Sequence, residues 1–286
     1  MAIKLGGKEI SFFASSGALG FCGNGWLWER LLPKKYFDPS LFCAVLKTVT
    51  IYECRGNGFF PWLKIRPIFM KRQLVGFVNA MGLPGPPFGD FAECYLSDLN
   101  FEKRNIVVSI AGSDEELCYV ALNLDRFDVR AIEINASCPN AGRDLKENAK
   151  ELIKICRKVA KYTRHDLILK ISYAQDFVHL AREAEGVVRA VSFNSVPWRI
   201  VFPGKKSPFA RYGGGGVSGK IVRWFYEDMA TKIVRFTDMP VIMPVWDYED
   251  IKINEEMGAL AHSFGSVFIA SPWWPTRAIK KYLSEK

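Results

Sequence analysis

Short runs of apolar and β-branched residues recur along the chain as Val45–Thr50, Val75–Ala80, Ile106–Gly112, Ala131–Cys138, Leu167–Ser172, Ala190–Val196, Val241–Val245 and Ala261–Ser266. Many are near-continuously apolar, the pattern of parallel strands covered on both faces. Between several of them the apolar spacing lengthens. Leu145–Tyr162 sets Leu145, Ala149, Leu152, Ile153, Cys156, Val159 and Ala160 close to helical spacing, and Asp114–Leu124 and Val222–Phe236 read similarly. Eight strands separated by helices or long loops predict an α/β fold, a (β/α)8 TIM barrel in preference to a doubly wound sheet, as one domain over 1–286. Gly6-Gly7 between Lys4 and Lys8 predicts a short N-terminal β-hairpin. Val196–Gly213 reads as a long loop without secondary structure of its own, and is expected to be an active-site lid. Plain surface flexibility is the competing reading.

Polar residues gather at the carboxyl ends of the runs: Lys47-Thr48, Asn79, Asn135 to Asn140, Lys170 with Ser172, and Asn194-Ser195. Reactive groups of such barrels lie at that end of the strands. One such residue is ordinarily a solvated strand end; five strands ending this way point to a site.

Composition narrows the class. The chain is 49% hydrophobic, and its charge is +9, from 39 Lys+Arg against 30 Asp+Glu. The basic residues are dispersed and form no nucleic-acid motif, so the charge is read as a field favouring anionic ligands or an acidic partner. No run of about 18 apolar residues predicts a membrane span. The first ten residues lack the order of a signal peptide, so the expected location is cytoplasmic. The seven cysteines lie far apart with no CxxC pair, which argues against a disulfide framework, zinc site or iron–sulfur cluster held by this chain. His165, His179 and His262 sit in no motif and are read as structural, so no metal site is expected.

From Ser15 to Phe268, about nine-tenths of the chain, a colinear set of segments resembles class 1 dihydroorotate dehydrogenases. The set comprises Ser15-Ser16-Gly17, Lys47-Thr48-Val49-Thr50, Arg55-Gly56-Asn57, Asn79-Ala80-Met81-Gly82-Leu83, Ser109-Ile110-Ala111-Gly112 and Asn135-Ala136-Ser137-Cys138-Pro139-Asn140. It continues with Leu169-Lys170, Asn194-Ser195-Val196, Gly215-Gly216-Val217-Ser218-Gly219 and Gly265-Ser266. The resemblance implies an FMN-dependent oxidation of dihydroorotate to orotate in pyrimidine biosynthesis. Cys138 would be the catalytic base, since a thiolate of lowered pKa can take a ring proton; a buried strand-end cysteine is the competing reading. Asn79, Met81, Gly82, Leu83, Asn135, Asn140, Asn194, Ser195 and Lys47 would line the substrate, the amides offering both donors and an acceptor to its ring. Ser15, Ser16, Gly17, Lys47, Thr48, Ser109, Asn135, Lys170, Gly216, Ser218, Gly219, Val245, Trp246, Gly265 and Ser266 would hold FMN. Lys170 is expected beside the flavin ring, where a cation stabilises arriving negative charge.

Two positions depart from the family pattern. Val245-Trp246 stands where a glycine pair is usual, leaving backbone donors for the FMN phosphate but two side chains to be turned away. Gly85 stands where asparagine is frequent, which would loosen or reshape the substrate end. Competing functions are redox chemistry on another pyrimidine of the uracil or dihydrouracil type, and a catalytically inactive barrel acting as a scaffold. The resemblance also implies a homodimer, with electrons passing to fumarate or to a partner carrying FAD and an iron–sulfur cluster. The absence of a membrane-associating N-terminal helix disfavours a quinone-linked form.

Overall fold

The computed structural model describes residues 1–136 and 149–286. In chain order the strands are β1 (Ile3–Leu5), β2 (Lys8–Ile10), β3 (Phe12–Ala14), β4 (Cys43–Val45), β5 (Ile65–Met70), β6 (Gln73–Asn79), β7 (Ile106–Ile110), β8 (Ala131–Asn135), β9 (Asp166–Ile171), β10 (Ala190–Phe193), β11 (Val196–Pro197), β12 (Gly216–Ser218), β13 (Val241–Val245) and β14 (Ala261–Phe264). The helices are α1 (Phe88–Phe91), α2 (Asp114–Leu124), α3 (Ala149–Val159), α4 (Phe177–Ala184), α5 (Trp198–Val201), α6 (Arg223–Phe236), α7 (Tyr248–Glu256), α8 (Val267–Ala270) and α9 (Trp274–Ser284).

A closed parallel barrel runs β3-β4-β7-β8-β9-β10-β13-β14 and back to β3. Helices cover its outer face: α6 buries Phe225, Tyr226, Met229, Ala230 and Ile233, and α3 buries Leu152, Ile153, Ile155, Cys156 and Val159. α2 starts where Ser113 and Glu116 exchange side-chain-to-backbone hydrogen bonds, a capping box that satisfies two otherwise orphaned donors.

Inside the barrel, the two-residue period of the strands sorts polarity by height. Val107, Ala131, Ile168, Ala190, Ile242 and Ala261 belong to one buried apolar cluster. Two residues further on, five of these six strands place a buried polar side chain: Ser109, Glu133, Lys170, Ser192 and Ser263. Ile3, Leu5 and Ile10 of the β1–β2 hairpin join the apolar cluster, so the hairpin stoppers the amino-terminal end. Its turn residues have positive φ, 49° at Gly6 and 76° at Gly7, as a tight hairpin turn requires. The amino-terminal half is therefore packed and apolar, and the buried polar side chains of these strands lie towards the carboxyl-terminal rim.

Three expectations are corrected. Val75–Ala80 is not a barrel strand: β6 is antiparallel to β5 and β12 in a separate four-stranded sheet, β11-β12-β6-β5. The barrel place belongs to Phe12–Ala14, and the Val45–Thr50 run contributes only the end of β4. Nor is Val196–Gly213 a bare loop. It holds β11, α5 and a 3-10 turn at Ala210–Tyr212, pinned by the Trp198 indole donating to the Lys205 carbonyl at 2.8 Å. Gly85 does not loosen its surroundings either: it exchanges backbone hydrogen bonds with Cys54 at 2.8 and 3.1 Å, and a Cβ there would stand 3.2 Å from the Phe21 ring.

Candidate active site

The rim is organised around two hydrogen-bonded chains. In the first, the Ser16 hydroxyl meets that of Thr48 at 3.0 Å, and Thr48 meets Ser109 at 2.9 Å. The Asn135 amide donates to Thr48 at 3.3 Å. The loops after β3 and β4 and the ends of β7 and β8 thus converge on one hydroxyl. Beside it the Ser15 and Ser263 hydroxyls lie 2.5 Å apart. Gly17 is tied to the Val45 carbonyl at 3.2 Å, and a Cβ there would press on the Lys47 stem at 3.3 Å.

In the second chain, Lys170 Nζ lies 3.2 Å from Glu133 Oε1, while the Ser192 hydroxyl donates to Glu133 Oε2 at 2.9 Å. The side chains of Lys170 and Glu133 are 10% and 4% exposed, so this is a charge pair removed from water. A buried cation is tolerable only with a partner, and Glu133 supplies it from the neighbouring strand, as parallel pairing of β8 with β9 dictates.

The four-stranded sheet brings the expected substrate residues to the same rim. β11 begins at Val196, after a two-residue connection from the end of β10, so Asn194-Ser195 bridges barrel and sheet. β12 pairs Gly216 with Asn79 on one side and with Pro197 on the other. Gly216 has no room for a side chain: a Cβ would collide with Ser195 Oγ. The following Met81-Gly82-Leu83 turn is held by Asn57, whose N–H donates to the Met81 carbonyl at 2.8 Å and whose amide donates to the Ala80 carbonyl at 2.9 Å. Cys138 and Asn140, with Ser137, lie outside the described residues.

The loop after the seventh barrel strand, β13, differs from expectation. Trp246 N–H and Asp247 N–H both donate to Asp250 Oδ2, at 2.7 and 2.9 Å, so these backbone donors are engaged within the chain. The Trp246 side chain does not swing clear of Gly219: a Cβ on that glycine would stand 3.1 Å from Cζ3 of the indole. Asp250 is 4% exposed, and burial pushes its carboxyl above the ordinary range against the pull of the two N–H donors. Arg223 Nη2 bridges Asp250 Oδ1 at 2.5 Å and Asp247 Oδ2 at 2.6 Å, and Lys220 adds a contact to Asp247 at 3.1 Å.

Glu133, Ser192, Ser263 and Asp250 are functional candidates that motif and period alone do not single out. For Glu133 a signal exists, a lone charge between Ile132 and Ile134 in an otherwise apolar strand. Among the described residues no group of His, Cys, Asp or Glu is arranged to hold a metal ion, and no helix is long and apolar enough to cross a membrane.

A family model described as dihydroorotate dehydrogenase matches residues 21–243. The chain is 30% identical over 310 aligned positions to the dihydroorotate dehydrogenase B (NAD(+)) catalytic subunit of Carboxydothermus hydrogenoformans, covering 100% of this chain and 93% of that protein. It is 31% identical over 252 positions to the protein of the same description from Thermoanaerobacter pseudethanolicus, covering 85% and 78%. For that from Petrotoga mobilis the identity is 26% over 282 positions, covering 94% and 89%.

Proposed function

The chain belongs to the dihydroorotate dehydrogenase family, and on that premise we propose that it oxidises dihydroorotate to orotate in pyrimidine biosynthesis, using FMN and Cys138 as base. The observation that carries the reading is the polar upper layer of the barrel. Ser16, Thr48, Ser109 and Asn135 form one continuous hydrogen-bonded set, and Lys170 is a buried cation beside it. Such a set suits the carbonyl and N–H edge of a flavin ring. When bound, the flavin supplies the hydride acceptor.

The chain's own residues supply the rest. Lys170, fixed by Glu133, presents positive charge that needs no reorganisation when negative charge develops nearby. Lys47, 9% exposed at the same rim, serves the flavin and the substrate carboxylate. Asn79, Asn194 and Ser195, gathered by β12, orient the substrate ring, together with Asn135 and Asn140. Cys138 follows the last residue of β8 by three positions, in the stretch of sequence between β8 and α3, and barrel catalysts are commonly drawn from such βα connections. Its thiolate takes the proton that must leave one ring carbon as hydride leaves its neighbour. The segment from Val196 to Gly213 covers the site and excludes water. The relatives are described as catalytic subunits, and we extend that to this chain: a homodimer in the cytoplasm, paired with an FAD- and iron–sulfur-containing subunit that receives the electrons.

The visible spectrum of purified protein, before and after anaerobic dihydroorotate, tests flavin and substrate together. A flavin absorbance that bleaches on mixing is the expected result. Colourless protein that takes up no flavin, or a flavin that dihydroorotate leaves oxidised, refutes the assignment.

A further inference from the structure

In (β/α)8 barrels a phosphate is commonly held by the loops after strands seven and eight and by the start of a short extra helix. Counted from β3, those places are Trp246-Asp247, Gly265-Ser266 and α8. In this chain the first of them is already occupied. Building on the flavin assignment above, we propose that Asp250 and Trp246 occupy the place of the cofactor's phosphate, so that the protein holds its flavin by the ring and scarcely distinguishes FMN from riboflavin.

Three features of the structure support this. First, the two N–H groups that the strand-seven loop could offer a phosphate, those of Trp246 and Asp247, both point at Asp250 Oδ2, at 2.7 and 2.9 Å. Asp250 is part of α7 and 4% exposed, so a phosphate cannot displace it as it would displace water. A carboxylate already receives the charge-assisted hydrogen bonds that give such a site its affinity. Second, the local charge is balanced. Arg223 and Lys220 reach this cluster but are paired with Asp247 and Asp250, two cations against two carboxylates, so a dianion gains no net attraction from them. Third, the space is filled. The Trp246 indole packs on Gly219, and its centroid lies 6.3 Å from that of Phe77. At Gly219 the glycine turn after β12 is closed by the backbone of Val75 and Gly76 and by this ring. The ring end of the site, by contrast, keeps its hydroxyls, its amide and Lys170, so affinity for the isoalloxazine is preserved.

The test is a titration of flavin-stripped protein with FMN and with riboflavin, read by quenching of flavin fluorescence. Dissociation constants within about tenfold of each other are expected, a difference of at most about 1.4 kcal/mol. The double variant Trp246→Gly/Asp250→Ala releases both N–H groups and removes one carboxylate, so its preference for FMN should rise by more than about tenfold while riboflavin affinity stays level. Wild-type protein that prefers FMN by more than about tenfold overturns the proposal and leaves the family assignment standing. So does a folded double variant, checked by circular dichroism, with an unchanged preference. Protein that binds neither flavin sinks the flavin assignment itself, and this inference with it. The wild-type comparison decides the matter even where the variant does not fold.

Discussion

Removing the Glu133 carboxylate isolates what holds Lys170 in place. Glu133 is the counter-ion of Lys170 at 3.2 Å and the acceptor of the Ser192 hydroxyl at 2.9 Å, and both charged side chains are at least nine-tenths buried. Glu133→Ala leaves an ammonium group in the barrel without its counter-ion, together with a hydroxyl without its acceptor. Breaking one side of a buried pair costs about 3–5 kcal/mol. For a chain of this size that corresponds to a fall in Tm of roughly 6–20 °C. Glu133→Leu with Lys170→Met removes both charges and should recover most of that loss, since a well-packed apolar pair often replaces a buried ion pair at little cost. Chemistry should not recover with it: rapid-mixing measurements of flavin bleaching by dihydroorotate should stay slow in the double variant. Lys170→Met alone should slow reduction more than it weakens substrate binding, because the charge it stabilises develops only during transfer. Urea unfolding of the single and double variants supplies the stability cycle. A Glu133→Ala loss below about 1 kcal/mol, or a double variant no more stable than Glu133→Ala, refutes the coupling.

His262 is buried against the Phe12 ring, its Nδ1 unpartnered among the described residues, and burial lowers its pKa from 6.5 to about 4 despite the pull of Glu255. The unfolded chain therefore protonates first as pH falls. Stability present above pH 6.5 should decline towards pH 4 by about 3 kcal/mol, and His262→Phe should remove that component from urea midpoints measured across the window. Gly216→Ala drives a Cβ into Ser195 Oγ, so orotate affinity measured by flavin difference spectra should fall by roughly tenfold or more, equivalent to at least 1.4 kcal/mol, with near-normal folding; unchanged affinity would remove Ser195 from the substrate pocket. Cys138→Ala should keep flavin and orotate binding while reduction falls by about 10²- to 10⁴-fold, and reduction at the wild-type rate would exclude Cys138 as base.

The barrel is legible wherever both faces of a strand are covered, because near-continuous apolar runs such as Ile106–Ile110 and Ala131–Ile134 suit a strand buried on both sides and little else of that length. Val75–Asn79 looks alike and lies elsewhere. What separates it is its connection: β5 and β6 are joined by Lys71-Arg72, both at positive φ, 47° and 66°. Asn-Gly or Asp-Gly ordinarily announces such a hairpin turn, and two long cations do not. Gly76 is the second clue, since a Cβ there would strike the Ser218 carbonyl across the sheet. Phe12–Ala14 is hard to see because three residues directly after a hairpin carry too little period to stand apart from it.

The site divides along a different line. Motif residues such as Thr48, Ser109, Asn135 and Lys170 do converge at the rim, since strand order and register leave the carboxyl ends of β7, β8 and β9 no other place to point. Their supports are less visible. Glu133 is a charge in an apolar strand and therefore detectable in principle, because an isolated carboxylate at that depth demands a cation. Asp250 leaves a fainter trace, as the third residue after the N-cap Asp247 in a capping box. It reads as an ordinary acidic residue in the first turn of a helix, where the dipole favours it. Its second role, capturing the N–H groups of Trp246 and Asp247, depends on how the strand-seven loop turns back towards α7. A residue that acts on backbone is invisible to any reading that pairs side chains. With Asp250 and Trp246 in the proposed place of the phosphate, the departure at Val245-Trp246 acts both through the side chain it adds and beside the donors that Asp250 withdraws.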